Sequence, residues 1–319
     1  MSDVTQPAFP VDKTLDLPLI VGVSTRAMFD LTEEDEVFRR EGVLAYAALQ
    51  LEREKVPLQP GTAFEVTRRL LGLNQSDDPP LVRVVLLSKN SPDLSLRAFN
   101  SFEHYKLPIT HGSFTSGRPV APFVSAWNMD LFLSNDDDDV REVAAAGTAT
   151  ARLGPPPINA ADVPEGEVRF AFDGDAVVFS PESDLYYQKH GLPRFLEHER
   201  ENALVPMQQG PFGHHFLPKL AEIRRRYMRP DGTSRVRIAI VTARNAPAHE
   251  RVIHTLRAWG TPADEAHFVG HHKKAPILRA TQAHIFFDDQ RRHFEDAEGV
   301  VAAGLVPGPH APDRTVIPA

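Results

Sequence analysis

Residues 168–183 read VRFAFDGDAVVFSPES, an apolar strand from Val168 to Phe172 followed at once by Asp173-Gly174-Asp175. The chain carries a second version of this stretch. Ser24 to Gly61 aligns on Asp173 to Gly210 without a gap, each pair separated by 149 residues. Nine positions are identical: Ala27/Ala176, Glu33/Glu182, Asp35/Asp184, Gly42/Gly191, Glu52/Glu201, Val56/Val205, Pro57/Pro206, Gln59/Gln208 and Gly61/Gly210. Roughly two matches would arise by chance at ordinary residue usage. At its head the earlier stretch has Ser24-Thr25-Arg26 after the strand Leu19 to Val23, so one copy has a carboxylate pair that the other lacks.

The repeat continues at an offset of 154. Val82-Arg83 matches Val236-Arg237, Arg97 matches Arg251, Pro108 matches Pro262, Phe114 matches Phe268, Ala121-Pro122 matches Ala275-Pro276, and Phe132 matches Phe286. Five residues have therefore been inserted in the second copy between the two blocks. Within that copy the short apolar runs Val168 to Phe172, Val236 to Val241, Ala266 to Val269, Ile285 to Phe287 and Val300 to Val306 suit strands buried on both faces of a parallel sheet. Ala248 to Trp259 and Arg291 to Glu298 suit crossover helices. The fold class expected is α/β, two tandem units with Rossmann-like parallel sheets, the first degenerate and the second catalytic. The boundaries expected are a loose tail over 1–16, a first unit over 17–153, a linker over 154–167 opened by Gly154-Pro155-Pro156-Pro157, a second unit over 168–306, and a tail over 307–319 with four prolines.

A chain of 319 residues, 42% hydrophobic, is long enough to bury a core in each of two units. With no cysteine, disulfides and thiolate metal sites are excluded. A formal net charge of -8 argues against a nucleic-acid backbone as the partner. No apolar stretch approaches membrane-spanning length, and the first residues lack a leader pattern, so no membrane partner and a cytoplasmic location are expected.

Ligands of open α/β sheets bind beyond the carboxyl ends of the strands. There the sequence delivers Asp173 and Asp175, Thr242, Lys273 and Lys274, and Asp288 with Asp289. Phosphoryl transfer from a monoester accounts for each residue type. One carboxylate can take the phosphoryl group, and a second, two residues on, can protonate the leaving oxygen and then activate water. Clustered acidic oxygens call for a hard cation, and Mg²⁺ fits. Thr242 and neighbouring N–H groups at Gly174 and Ala243 could hold phosphoryl oxygens, with Lys274 neutralising their charge.

The ordered set strand-DGD, strand-T, K, strand-DD resembles the haloacid-dehalogenase-like phosphohydrolases. More narrowly, FDGDAVVFSPES, LVPMQQGPF, VTARNAP, LRAWG, DEAHF and HIFFDDQ are similar to the cytosolic 5′-nucleotidase I family, over nearly the whole chain apart from its tails. The resemblance implies Asp173 as nucleophile, Asp175 as acid and base, Thr242 as phosphate-binding hydroxyl, and Asp288 or Asp289 as a metal ligand alongside Asp173 and Asp175. It favours Lys274 over Lys273, implies a nucleoside monophosphate such as AMP as substrate with Mg²⁺, and places a small cap at about 181–230. Self-association is left open.

Other features have blander readings. Asp136 to Asp139 reads as a solvated acidic loop. His214-His215 and His271-His272 lack zinc-ligand spacing. Tyr186, Tyr187 and Phe195 suit core more than base stacking, while Gln208, Gln209 and Phe212 are candidate base contacts. Arg244 suits a phosphate or ribose contact and a structural ion pair equally. In the first copy Ser24 stands for Asp173, Arg26 for Asp175, Ser88 for Thr242, Val120 for Lys274 and Ser134-Asn135 for Asp288-Asp289, so that unit is expected to be inert. Its plainest role is to cover the second unit. A sharper one is a regulatory anion site at Arg26, Ser88, Lys89 and Asn90. The alternatives to a nucleotidase are a phosphatase for another small monoester and a non-catalytic, receiver-like or nucleotide-binding protein. Receivers place their acidic pair before the phosphorylated Asp, opposite to the order here.

Overall fold

A computed structural model describes residues 18–74, 79–159 and 161–308; the expected tail over 1–16 and all but the start of that over 307–319 lie outside them. In chain order the first half comprises β1 (Leu19–Ser24), α1 (Thr25–Met28), β2 (Phe29–Asp30), α2 (Thr32–Glu41), α3 (Val43–Glu52), β3 (Gln59–Pro60), α4 (Phe64–Leu71), β4 (Val82–Ser88), α5 (Ser95–His104), β5 (His111–Phe114), α6 (Ala121–Ala126), β6 (Leu131–Ser134), α7 (Asp137–Ala145) and β7 (Ala149–Leu153). The second comprises β8 (Val168–Phe172), α8 (Glu182–Glu201), α9 (Phe216–Arg226), β9 (Val236–Thr242), α10 (His249–Ala258), β10 (Glu265–Phe268), α11 (Ala275–Thr281), β11 (Ile285–Asp288), α12 (Arg291–Ala297) and β12 (Ala302–Leu305). From β4 to β6 the strands, and α5 among the helices, recur with both ends displaced by 154 residues in β9 to β11 and α10.

Ten strands form one sheet in the order β10-β9-β8-β11-β12-β7-β6-β1-β4-β5. Each half is parallel throughout, and the halves meet where β12 runs antiparallel to β7, pairing Gly304 with Leu153 and Leu305 with Arg152. Because the strand directions reverse at that seam, the carboxyl ends of the two halves lie at opposite ends of the sheet. The first half thus extends the second edge to edge, where the sequence suggested that it covers a face.

Strand alternation assigns the faces. Phe170 and Phe172 of β8, Ile238 and Ile240 of β9, and Leu19, Val21 and Val23 of β1 enter one continuous core spanning both halves. Ala171, Ala239 and Val241 point to a second cluster, and Ile20, Val85 and Leu87 to a third, one under each half on the opposite face. In the shared core α4 touches β8 and α9 touches β1, so each half supplies a helix to the other's central strand. Polar contacts follow the same exchange. Arg69 of α4 donates to the carbonyls of Pro164 and Glu167 before β8, and Lys219 of α9 donates to the Pro18 carbonyl and Asp130 beside β1.

Two glycines mark matching breaks. Gly42 separates α2 from α3 with φ of 85°, and Gly191 interrupts α8 with φ of 77°, values a β-carbon disfavours. The Asp136–Asp139 run differs from the solvated loop expected: Asp136 accepts from the N–H groups of Asp138 and Asp139 and caps α7, and Asp139 is buried against Lys89. Acidic residues in a first helical turn complement the helix dipole, which accounts for the run. No described helix is long and apolar enough to cross a membrane.

Candidate active site

The carboxyl ends of β8, β9 and β11 bring the expected residues into one buried corner. The Asp173 N–H donates to the Phe287 carbonyl at 2.8 Å, which fixes the exit of β8 beside β11. Gly174 follows; a β-carbon there would lie 3.2 Å from the Thr242 hydroxyl, so its bareness lets the two strand ends approach. Lys274, the residue before α11, inserts its ammonium between two carboxylates, 2.8 Å from Asp173 Oδ1 and 2.7 Å from Asp288 Oδ2. Lys273 points outward, is 74% exposed and pairs with Asp296, so only Lys274 belongs to the corner. Asp288 accepts a further bond from the Gln290 N–H, and His293 Nδ1 stands 3.3 Å from its Oδ2.

One ammonium cannot balance so many carboxyls. Burial pushes the Asp173 carboxyl up to about 7, against the pull of Lys274 and with the push of Asp288. Burial acts on Asp288 too, but Lys274 and His293 outweigh it and hold that group down to about 2. Asp289 is pushed well up by burial and by the charges of Asp288, Asp173 and Asp184. Asp173, Asp288 and His293 each offer a ligand atom, all within 4.8 Å of one another. Carboxylates crowded until their pKa values separate fit a hard dication. His293 is the donor that a magnesium site does not call for, and sequence reasoning missed it.

Asp175 pairs with a different cation. Its two oxygens accept from Arg244 Nε and Nη2, both at 2.7 Å, in a bidentate pair. Arg244 also donates to Glu199 of α8, which accepts from Arg251 at 3.0 Å and from the Ser183 hydroxyl at 2.9 Å, and Arg251 reaches Glu182. Arg244 and Glu199 are fully buried. Of the two readings open for Arg244, the structure places it in the ion pair. Ala243 is half-buried behind Thr242, and Gln209 donates to the Gly213 carbonyl. Phe212 is fully buried among Phe172, Phe216 and Phe287. Tyr186 stacks on His198 with centroids 4.1 Å apart, and both histidine pairs are exposed.

At the opposite end of the sheet, the four residues considered for an anion site also lie together. Arg26 pairs with Asp35, Lys89 lies 2.7 Å from Asp139, the Asn90 N–H donates to the Ser88 hydroxyl, and the Asn90 side-chain oxygen accepts from Tyr46.

A family model described as 5′-nucleotidase matches residues 11–312. Cytosolic 5′-nucleotidase 1B of Homo sapiens is 33% identical over 298 residues, an alignment covering 89% of this chain and 48% of the relative. The chain therefore spans about half the length of that relative.

Proposed function

The chain belongs to the 5′-nucleotidase family, and from that premise we propose that it is a phosphoric monoester hydrolase whose second half hydrolyses nucleoside 5′-monophosphates, AMP foremost, through an aspartyl-phosphate. The observation that carries this reading is the buried Asp173–Lys274–Asp288 cluster at the strand ends, with Asp175 two residues beyond the nucleophile. In this reading the two halves are tandem haloacid-dehalogenase-like units divided over 154–167, the first without catalytic carboxylates, and the segment at about 181–230 holds the nucleoside.

Asp173 attacks phosphorus and the leaving oxygen departs with a proton from Asp175, which then takes a proton from the water that cleaves the acyl phosphate. Lys274 and the Thr242 hydroxyl hold the phosphoryl oxygens, with Gly174 and Ala243 contributing backbone N–H groups. Mg²⁺, held by Asp173, Asp288 and Asp289 with Asp175 as a further ligand, would neutralise the acidic corner and polarise the phosphoryl group. Arg244 takes one lone pair on each oxygen of Asp175, and the transferred proton would use a remaining one. Arg244 thus acts on the chemistry through Asp175, and Gln209 lies within the nucleoside-holding segment.

The test is phosphate release from nucleoside monophosphates and sugar phosphates, with wild type and Asp173→Asn. Equal turnover by the two proteins rejects the mechanism, and a preference for sugar phosphates rejects the substrate.

A further inference from the structure

The first half holds a cavity of about 710 Å³, open to solvent on one side, at the carboxyl ends of β1, β4 and β6, the position the acidic corner occupies in the second half. Its inner end is lined by hydroxyls, from Ser24, Thr25, Ser88 and Ser134, where the second half has carboxylates and Thr242. Thr25 is 93% buried, and its hydroxyl has no hydrogen-bond partner within the protein, so a polar atom there is waiting for one. Its outer wall is aromatic and aliphatic. Phe38 and Tyr46 meet edge to face with centroids 5.9 Å apart, and Phe38 and Val43 remain 45% and 63% exposed.

We propose that this cavity binds a nucleoside, unphosphorylated, and does not turn it over. Volume and lining suit a molecule with a flat apolar ring at one end and hydroxyls at the other. Charge decides against a phosphate. The lining holds two cations, Arg26 and Lys89, and three carboxylates, Asp35, Asp136 and Asp139. Both cations are already paired, so a dianion would enter a pocket with negative charge in excess and would share each cation with a carboxylate. A neutral ligand meets neither cost. Its hydroxyls can exchange hydrogen bonds with Thr25, Ser24 and Ser134, while its ring covers Phe38 and Tyr46. The choice of a nucleoside over another ring-bearing polyol rests on the function proposed above, whose reaction releases nucleosides. The cavity would then sense product at the far end of the sheet from the chemistry.

The experiment is amide hydrogen exchange on the full chain carrying Asp173→Asn, with adenosine, AMP and inorganic phosphate as separate probes. Adenosine should slow exchange over 43–52 and 88–91, more than AMP does at equal concentration, and phosphate should not. Ala47→Trp, which fills the cavity from α3, should abolish that protection. Tyr46→Leu, which keeps the wall apolar, should weaken binding roughly ten-fold by removing the aromatic face. Adenosine protection confined to 173–180 and 242–244, stronger protection of the first half by AMP or phosphate, or none by any probe overturns the proposal. Because exchange is read without turnover, protection by adenosine alongside inactivity on nucleotides would defeat the proposed function and leave this binding site standing.

Discussion

Replacing His284 by glutamine should remove a defined part of the protein's acid sensitivity. His284 is 6% exposed at the entrance to β11, where its Nδ1 accepts the Arg169 N–H at 2.9 Å. Burial, aided by the positive charge of Arg69, lowers its pKa from 6.5 to about 4. In the unfolded chain the imidazole takes its proton near the ordinary value. Between about pH 6.5 and about 4 the unfolded state therefore binds more protons, and stability falls as pH falls, with the loss complete below the folded value. A shift of that size corresponds to roughly 3 kcal/mol. Glutamine does not titrate in this range and keeps an oxygen to accept from Arg169. Urea unfolding from pH 7.5 to 4 reads the effect as a difference, in which groups common to both proteins, Asp173 among them, cancel. The gap between wild type and His284→Gln should move by about 3 kcal/mol in the variant's favour as pH falls through that window. A gap independent of pH would refute the assignment of His284 as a buried neutral imidazole.

Three further outcomes are expected. Lys274→Met should lower phosphate release by at least about 100-fold, whereas Lys273→Met, altering an exposed pair, should leave it within about two-fold; similar losses in both would remove Lys274 from the site. Glu199→Ala takes from the buried Arg244 and Arg251 the carboxylate they share, leaving them Asp175 and Glu182, and should cost about 3–5 kcal/mol in denaturant unfolding, against under about 1 kcal/mol for Arg53→Ala, which breaks an exposed pair with Glu33. A comparable small cost at both positions would show that the buried network carries no special weight. Stripping divalent cations with a chelator should abolish phosphate release, and added Mg²⁺ should restore it; chelator-resistant turnover would sink the metal requirement.

Much of the architecture was legible because parallel strands buried on both faces are short apolar runs, and the run from Val168 to Phe172 matches β8 at both ends. The seam was not. β7 reads ATARL, too mixed to stand out, and its pairing with β12 joins residues about 150 apart, which no local pattern encodes. The carboxyls of the acidic corner could be read because each stands at the end of a strand, whereas His293, inside α12, could not. Glu199 could not, because it lies between exposed charges in a helix whose sequence, RFLEHERE, does not tell the buried acid from its neighbours. A signal did exist in its partner. Arginine recurs at Arg97 and Arg251, each 5% exposed, each inside a helix, and each bound to the residue pair Gln50 or Glu199 that the repeat aligns. An arginine at corresponding helix positions of the two halves, buried in each, implies a buried acceptor in each.

The antiparallel junction of β7 with β12 also bears on how this protein could be dissected. Cutting between residues 154 and 167 would bare one unpaired strand on each fragment and strip β8 and β1 of the helices that the opposite fragment supplies. Neither piece would then be a smaller working protein. Each would be an adhesive surface, prone to find its missing edge in another molecule. The first half is therefore bound to the second by the strand edge and the helices that each lends the other, whatever chemistry either carries.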